Sequence, residues 1–247
     1  MKDQTVSLFI SDIHLSESRN DIVTAFFAFI ETIAPTADRL YILGDLFDFW
    51  AGDDIETALT RSVAMALSAL SEKEVEIFFI PGNRDFVLGK AYAERAGMKL
   101  VGESLKIDHE QILLIHGDEL CIEDVDYQRY KKWIRHPFIL ALLKRLPRRY
   151  RLKLAEKIRM KSQNSPKRTI VDVTPSYVDQ YFQAQKVQKI IHGHTHRAGH
   201  HRHLDHYERY VLSDWDKKGD YLKLENGKLS RHIFQIDPFL MLSESAS

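Results

Sequence analysis

One cysteine, Cys121, among 247 residues excludes an internal disulfide and fits a reducing compartment. Neither charge is in surplus: 35 lysines and arginines balance 35 aspartates and glutamates, so total charge points to no acidic or basic partner. Long apolar runs are also missing. Phe138–Leu143, as long as any purely apolar run in the chain, falls far short of the ~20 residues of a membrane-spanning helix, so any membrane contact is expected to be peripheral. The start, Met1 to Thr5, leads into Val6–Ile10 and is stopped by Asp12, too soon for a signal peptide; a cytosolic protein is the expectation. There is no internal repeat, and the only biased segments are a histidine-rich stretch after His196 and a serine-rich tail, Ser243–Ser247, expected to be disordered. What is present, 44% apolar and 28% charged residues, is enough for one substantial core.

Short apolar runs at Val6–Ile10, Leu40–Leu43, Ile77–Ile80, Ile112–Ile115 and Lys189–Ile191 read as buried strands, each ending at a polar residue. Between them, Asp21–Ile33, Glu56–Ser71 and Val87–Ala96 carry apolar residues at helical spacing. Strand then helix repeats, which implies an α/β layered fold. After His196, Tyr207–Ser213, Tyr221–Leu224 and Leu229–Ile236 alternate, with turns expected at Gly219-Asp220 and Asn226-Gly227; this predicts an antiparallel meander completing a second sheet.

The strand ends carry the chemistry. Asp12-x-His14, Gly44-Asp45, Gly82-Asn83, His116-Gly117-Asp118 and Gly193-His194-Thr195-His196 follow the five strands in order, at the edge where α/β folds build their sites. In an extended segment residues two apart face the same way, so Asp12 with His14, and His194 with His196, are expected to reach one site together, with the glycines allowing tight turns. Any one piece alone is weak, since Gly-Asp pairs make turns and a lone histidine is more often a core or surface residue. Together, three oxygen donors (Asp12, Asp45, Asn83) and four imidazoles (His14, His116, His194, His196) are too many for one ion. Two divalent ions bridged by Asp45 would share them, and a nitrogen and oxygen set without thiolate suits Mn²⁺ or a similar ion. Asp118 either orients His116 or caps a turn. His200, His201, His203 and His206 are read as an exposed loop rather than ligands, and Trp50, Trp133 and Trp215 as packing residues, with Trp133 placed to touch lipid.

The ordered set DxH, GD, GN, HGD, GHTH resembles the calcineurin-like metallophosphoesterases over nearly the whole chain. The resemblance implies a four-layer αββα sandwich and a dinuclear centre with metal-activated water as nucleophile: Asp12, His14, Asp45 and His196 for one ion, and Asp45, Asn83, His116 and His194 for the other. The wider family has Gly-Asn-His after the third strand, its histidine placed to protonate a leaving alkoxide. Here the segment is Gly82-Asn83-Arg84-Asp85. Arginine is a poor proton donor but grips phosphate oxygens bidentately, so the leaving group is expected to be a phosphate and Arg84 a catalytic contact. A bland reading of Arg84 is a pair with a neighbouring carboxylate.

From Val125 to about residue 165 the rhythm breaks. Between Arg129 and Arg168, fifteen lysines and arginines face one acid, Glu156, interleaved with leucines and aromatics. A helical cap inserted into a single domain is the expectation. Within the family, Phe9–Leu15, Tyr41–Phe47, Gly52–Asp54, Gly82–Phe86, His116–Cys121 and Ile191–Arg197 are similar to the branch acting on a lipid-linked nucleoside diphosphate in bacterial lipid A synthesis. That implies water attack at the α-phosphorus, release of UMP and a lipid 1-phosphate, and substrate contacts from Asn83, Arg84, Asp124, Ser162, Asn164, Lys167 and His194. A basic, greasy cap also suits the anionic cytoplasmic face of the inner membrane, with no nucleic acid and no obligate protein partner. The alternatives are a nuclease or nucleotide phosphodiesterase of the same superfamily, or a non-catalytic scaffold, which would be expected to have lost ligands.

Overall fold

Four consecutive apolar residues suffice for a strand buried on both faces. The computed structural model, which describes residues 5–154, 171–204 and 206–236, forms such strands where they are expected. In chain order the strands are β1 (Ser7–Ile10), β2 (Arg39–Ile42), β3 (Glu76–Phe79), β4 (Met98–Leu100), β5 (Ser104–Ile107), β6 (Ile112–Ile115), β7 (Lys189–His192), β8 (Gly199–His203), β9 (Tyr207–Val211), β10 (Lys218–Glu225) and β11 (Lys228–Gln235). The helices are α1 (Asn20–Ala28), α2 (Ala58–Ser71), α3 (Lys90–Arg95), α4 (Val125–Ile134), α5 (Pro137–Arg145) and α6 (Pro175–Gln185), with a further helical stretch over 148–154. Helix α1 continues as a π turn, Phe29–Ile33, and then a 3-10 turn that holds Pro35. Helix α2 starts at a reciprocal cap: Thr60 N donates to Thr57 Oγ1 (3.3 Å) and Thr57 N to Thr60 Oγ1 (2.9 Å).

Two sheets result, ordered β11-β10-β1-β2-β3-β4 and β5-β6-β7-β9-β8. Alternation sorts the side chains into layers. Leu8, Ile10, Leu40, Ile42, Ile77 and Phe79 face α1, α2 and α3, whereas Phe9, Tyr41 and Ile80 face Ile112, Leu114 and Ile191 of the other sheet. On the far side, Leu113, Ile115 and Ile190 pack on Val178 and Phe182 of α6. Helices, sheet, sheet and helix therefore stack as the four layers expected. Between the sheets Tyr41 is stacked with Phe9 (5.1 Å) and with Phe78 (5.0 Å). Phe9 is fully buried, and Phe9→Ala should cost about 3–5 kcal/mol by leaving a cavity no neighbour can fill. Urea unfolding of the variant measures it; a loss below about 1 kcal/mol would mean that the sheets close up.

The meander expected in one sheet is divided between two. Strand β9 lies parallel to β7, while β10 and β11 cross to the first sheet, β10 running antiparallel to β1. Gly219-Asp220 is not a turn but part of β10, where Gly219 pairs with Phe234 and leaves room for its ring. Asn226-Gly227 does make the hairpin turn, both residues at positive φ. The histidine-rich stretch, expected as a loop, includes the edge strand β8, paired to β9. Backbone pairing sufficed there despite exposed polar side chains. His200 pairs with Glu208 and stacks on Tyr210, His203 pairs with Asp179, and His206 packs on Tyr207.

Candidate metal centre

The loops leaving β1, β2, β3, β6 and β7 meet at one place. Hydrogen bonds carry the β1–β2 pairing beyond the strands, from Asp12 N to Gly44 O (3.1 Å) and from His14 N to Asp45 O (3.0 Å). The paired donors do not converge through extended backbone, as the two-residue spacing suggested. Asp12, His14, Asp45, His194 and His196 all sit at positive φ, between 53° and 64°. Such conformations cost about 1 kcal/mol or more each and persist where the surrounding structure imposes them. The motif glycines act in two ways: Gly44 and Gly117 take the positive φ expected of tight turns, whereas a methyl on Gly82 would run into the Asp45 carboxylate and one on Gly193 into Asp12.

Two donor clusters face each other. In the first, Asp12 Oδ1 lies 3.3 Å from His196 Nε2 and 4.0 Å from His14 Nε2, and the two imidazole nitrogens are 3.5 Å apart. The second Asp12 oxygen is occupied by the Ser11 hydroxyl (2.7 Å) and by His194 N (2.9 Å). In the second cluster, Asn83 Oδ1 sits 2.9 Å from His116 Nε2 and 3.0 Å from His194 Nδ1. Asp45 spans them. Its Oδ1 lies 3.8 Å from His116 Nε2, its Oδ2 4.0 Å from His14 Nδ1, and it is 2% exposed.

A cation fits this arrangement better than hydrogen bonding does. His116 Nδ1 donates to the Leu43 carbonyl at 2.8 Å, which turns Nε2 into the cluster, 2.9 Å from Asn83 Oδ1; burial opposes its charge, but Asp45 and Asp12 push His116 up to about 8, so Nε2 gives up a proton when a cation takes its place. Among the described residues, Asp12 Oδ1 and His14 Nδ1 are buried without any hydrogen-bond partner. Buried polar atoms are rarely left so, and a divalent ion would satisfy them. Burial, with the neighbouring charges of Arg84 and His196, pushes His14 down to about 4 against the pull of Asp12; burial and the charge of His116 push His194 down to about 3. Both are therefore neutral ligands at pH 7. Burial works against ionising Asp12, but His196 and His116 hold its carboxyl below the usual range. His196 goes the other way: burial opposes its charge, yet Asp12 and Asp214 push it up to about 10.

Several supporting residues were not singled out in the sequence. Asp85 is buried and its carboxylate accepts from Gly82 N (2.8 Å), Leu46 N (2.8 Å) and Asp45 N (3.3 Å), joining the loops that carry Asp45 and Asn83. Burial and the charge of Asp45 push Asp85 up to about 7, and the three N–H donors oppose this. Its place in Gly-Asn-Arg-Asp was the available signal. Asp214, 3.3 Å from His196 Nδ1, had none. Asp118 neither bonds His116 nor serves mainly as a turn cap: its Oδ2 accepts from the Tyr127 hydroxyl at 2.5 Å and lies 3.0 Å from Lys131 Nζ.

Arg84 is paired, as its bland reading held, with Asp48 (3.2 Å), and its backbone N–H donates to Asp45 Oδ1 (2.8 Å). It also lines, with Asn83, a pocket whose other walls include Trp50, Phe86, Val87, Ile134, Leu143 and Leu154. Trp50 therefore both packs, against Phe47 and Tyr92, and lines this pocket. Trp215 is buried with Nε1 donating to Asp220 O, and Trp133 is exposed on α4. The Asp124 carboxylate caps α4 by accepting from Tyr127 N (3.1 Å) and does not line the pocket. Ser162, Asn164 and Lys167 lie outside the described residues, as does the serine-rich tail.

Residues 6–198 match the calcineurin-like phosphoesterase family. Similar proteins include the UDP-2,3-diacylglucosamine hydrolase of Pasteurella multocida (strain Pm70), 44% identical over 230 residues that cover 91% of this chain and 96% of that one. The UDP-2,3-diacylglucosamine hydrolase of Edwardsiella ictaluri (strain 93-146) is 46% identical over 228 residues, covering 89% of this chain and 88% of that one. That of Stutzerimonas stutzeri (strain A1501) is 43% identical over 229 residues, covering 89% and 95%.

Proposed function

The chain belongs to the calcineurin-like phosphoesterases, together with the UDP-2,3-diacylglucosamine hydrolases, and we propose that it hydrolyses UDP-2,3-diacylglucosamine at its pyrophosphate bond, a step of lipid A biosynthesis. Water attacks the α-phosphorus, and UMP and 2,3-diacylglucosamine 1-phosphate leave. The observation that carries the reading is the apolar pocket opening onto Asn83 and Arg84, which sets a place for acyl chains beside a place for phosphate.

Asp12, His14, Asp45 and His196 would hold one divalent ion, and Asp45, Asn83, His116 and His194 a second, Mn²⁺ being the choice suited to these donors. Ions held there supply Lewis acidity, activating water and offsetting the charge of the phosphoryl oxygens. The protein's own part is positional. The Leu43 carbonyl fixes the His116 tautomer, Asp214 holds His196, and Asp85 locks the Asp45 and Asn83 loops together. Arg84 grips the diphosphate bidentately after exchanging Asp48 for substrate oxygens. Because both products depart as phosphates, no general acid is required and a histidine at position 84 is dispensable. This disfavours the nuclease alternative, whose alkoxide leaving group needs a proton.

Helices α4 and α5 form a cap on a single domain in this reading. Among the described residues no helix is long and apolar enough to cross a membrane. Trp133, Phe138 and Leu142 are nevertheless exposed at 58%, 71% and 53%, and Arg129, Lys132, Arg145 and Arg149 of the same helical segment are exposed as well. Such a surface favours peripheral association with the anionic cytoplasmic face of the inner membrane. Shortening one acyl chain by two carbons should raise KM by about tenfold, since each buried methylene contributes ~0.8 kcal/mol. Initial rates over a chain-length series check this; a KM indifferent to length would remove the pocket from substrate binding.

A further inference from the structure

Helix α4 is docked on the metal loops through one buried carboxylate, and we propose that Asp118 is a positioning residue that holds the acyl-binding wall in register with the metal ligands. Asp118 is 1% exposed and stands two residues beyond His116. Successive turns of α4 reach it from one face. The Tyr127 hydroxyl donates to Oδ2 (2.5 Å), Gln128 Nε2 donates to the Asp118 carbonyl (2.7 Å), Lys131 Nζ lies 3.0 Å from Oδ2, and Arg135, at the helix end, places Nη2 3.8 Å from it. The same helix touches two other metal loops. The Tyr127 ring stacks over His194 with centroids 6.0 Å apart, and Arg135 Nη2 donates to Gly82 O (2.8 Å), one residue before Asn83.

The opposite consequence lies in the pocket, whose wall includes Tyr127, Tyr130 and Ile134 of this helix. His194 is thus stacked on the element that would seat the acyl chains, and Asn83 and His116 stand one and two residues from the groups it binds, Gly82 O and Asp118. A side chain that merely filled space could be apolar. Burying a carboxylate is costly unless well-placed donors and cations offset it, and the several partners on one helix face set both the rotation and the height of α4.

The proposal rests on the lipid reading for its effect on substrate, but not for its effect on the helix. The test is hydrogen exchange and steady-state kinetics of the full-length, Mn²⁺-loaded protein as wild type, Asp118→Asn and Lys131→Met. Exchange across 123–135 is expected to rise by about tenfold or more in both variants while β1, β2 and β3 keep their protection. KM for UDP-2,3-diacylglucosamine should rise about tenfold, with the smaller loss in kcat. Unchanged exchange in α4, a uniform rise that includes β1–β3, or selective loosening of α4 with unchanged KM would each overturn it. If the wild type fails to hydrolyse the lipid nucleotide, the assigned substrate falls, and the exchange comparison still decides whether Asp118 docks the helix.

Discussion

Asp45→Ala is expected to abolish hydrolysis, with at least a thousand-fold loss of kcat/KM, equivalent to about 4 kcal/mol. Asp45 is the side chain with one oxygen toward His116 (3.8 Å) and the other toward His14 (4.0 Å), so its removal separates the two donor clusters and strips a ligand from both proposed ions. It also removes the acceptor for Arg84 N, loosening the turn that presents Asn83. Asp45→Asn keeps the shape and loses the charge, and should bind fewer than two metal equivalents while unfolding at a similar temperature. Retained turnover in the alanine variant would exclude the dinuclear arrangement.

Arg84→Ala should lower kcat/KM by about a hundred- to a thousand-fold, the range found when one preorganised donor to developing charge is removed. Arg84→Lys should recover little, because a single ammonium cannot reproduce the bidentate fork. The competing reading, in which Arg84 serves only its 3.2 Å pair with Asp48, carries a different magnitude. A part-exposed ion pair contributes about 0–1 kcal/mol, so that loss would stay under about tenfold. Kinetics with the full lipid nucleotide separate the two.

The layers and the ligands were legible because both follow from short-range rules. Ile112–Ile115 is a four-residue apolar run, too short for a buried helix and of the length of an interior strand, and His116 follows it directly. A polar, metal-ligating residue at each such strand end places the site without any tertiary information. What the sequence concealed depends on how loops meet. Alternation in Tyr207–Ser213 and Tyr221–Leu224 reports two-sidedness, not which sheet a strand joins, so the division of the meander was invisible. The role of Asp85 exists only once three backbone N–H groups of two loops converge on it. The positive φ of Asp12, His14, Asp45, His194 and His196 could not be inferred from spacing, since each of these residue types is also at home in extended backbone. Asp118 was misread for a related reason: sequence adjacency to His116 suggested a bond that the Leu43 carbonyl makes instead.

The most direct measurement incubates the purified protein with Mn²⁺ and micellar UDP-2,3-diacylglucosamine in ¹⁸O-labelled water and weighs both products. Label in UMP, with unlabelled 2,3-diacylglucosamine 1-phosphate, is the expected result of water attack at the α-phosphorus by the centre built around Asp45. Label in the lipid phosphate, or no product with any divalent ion, would contradict it.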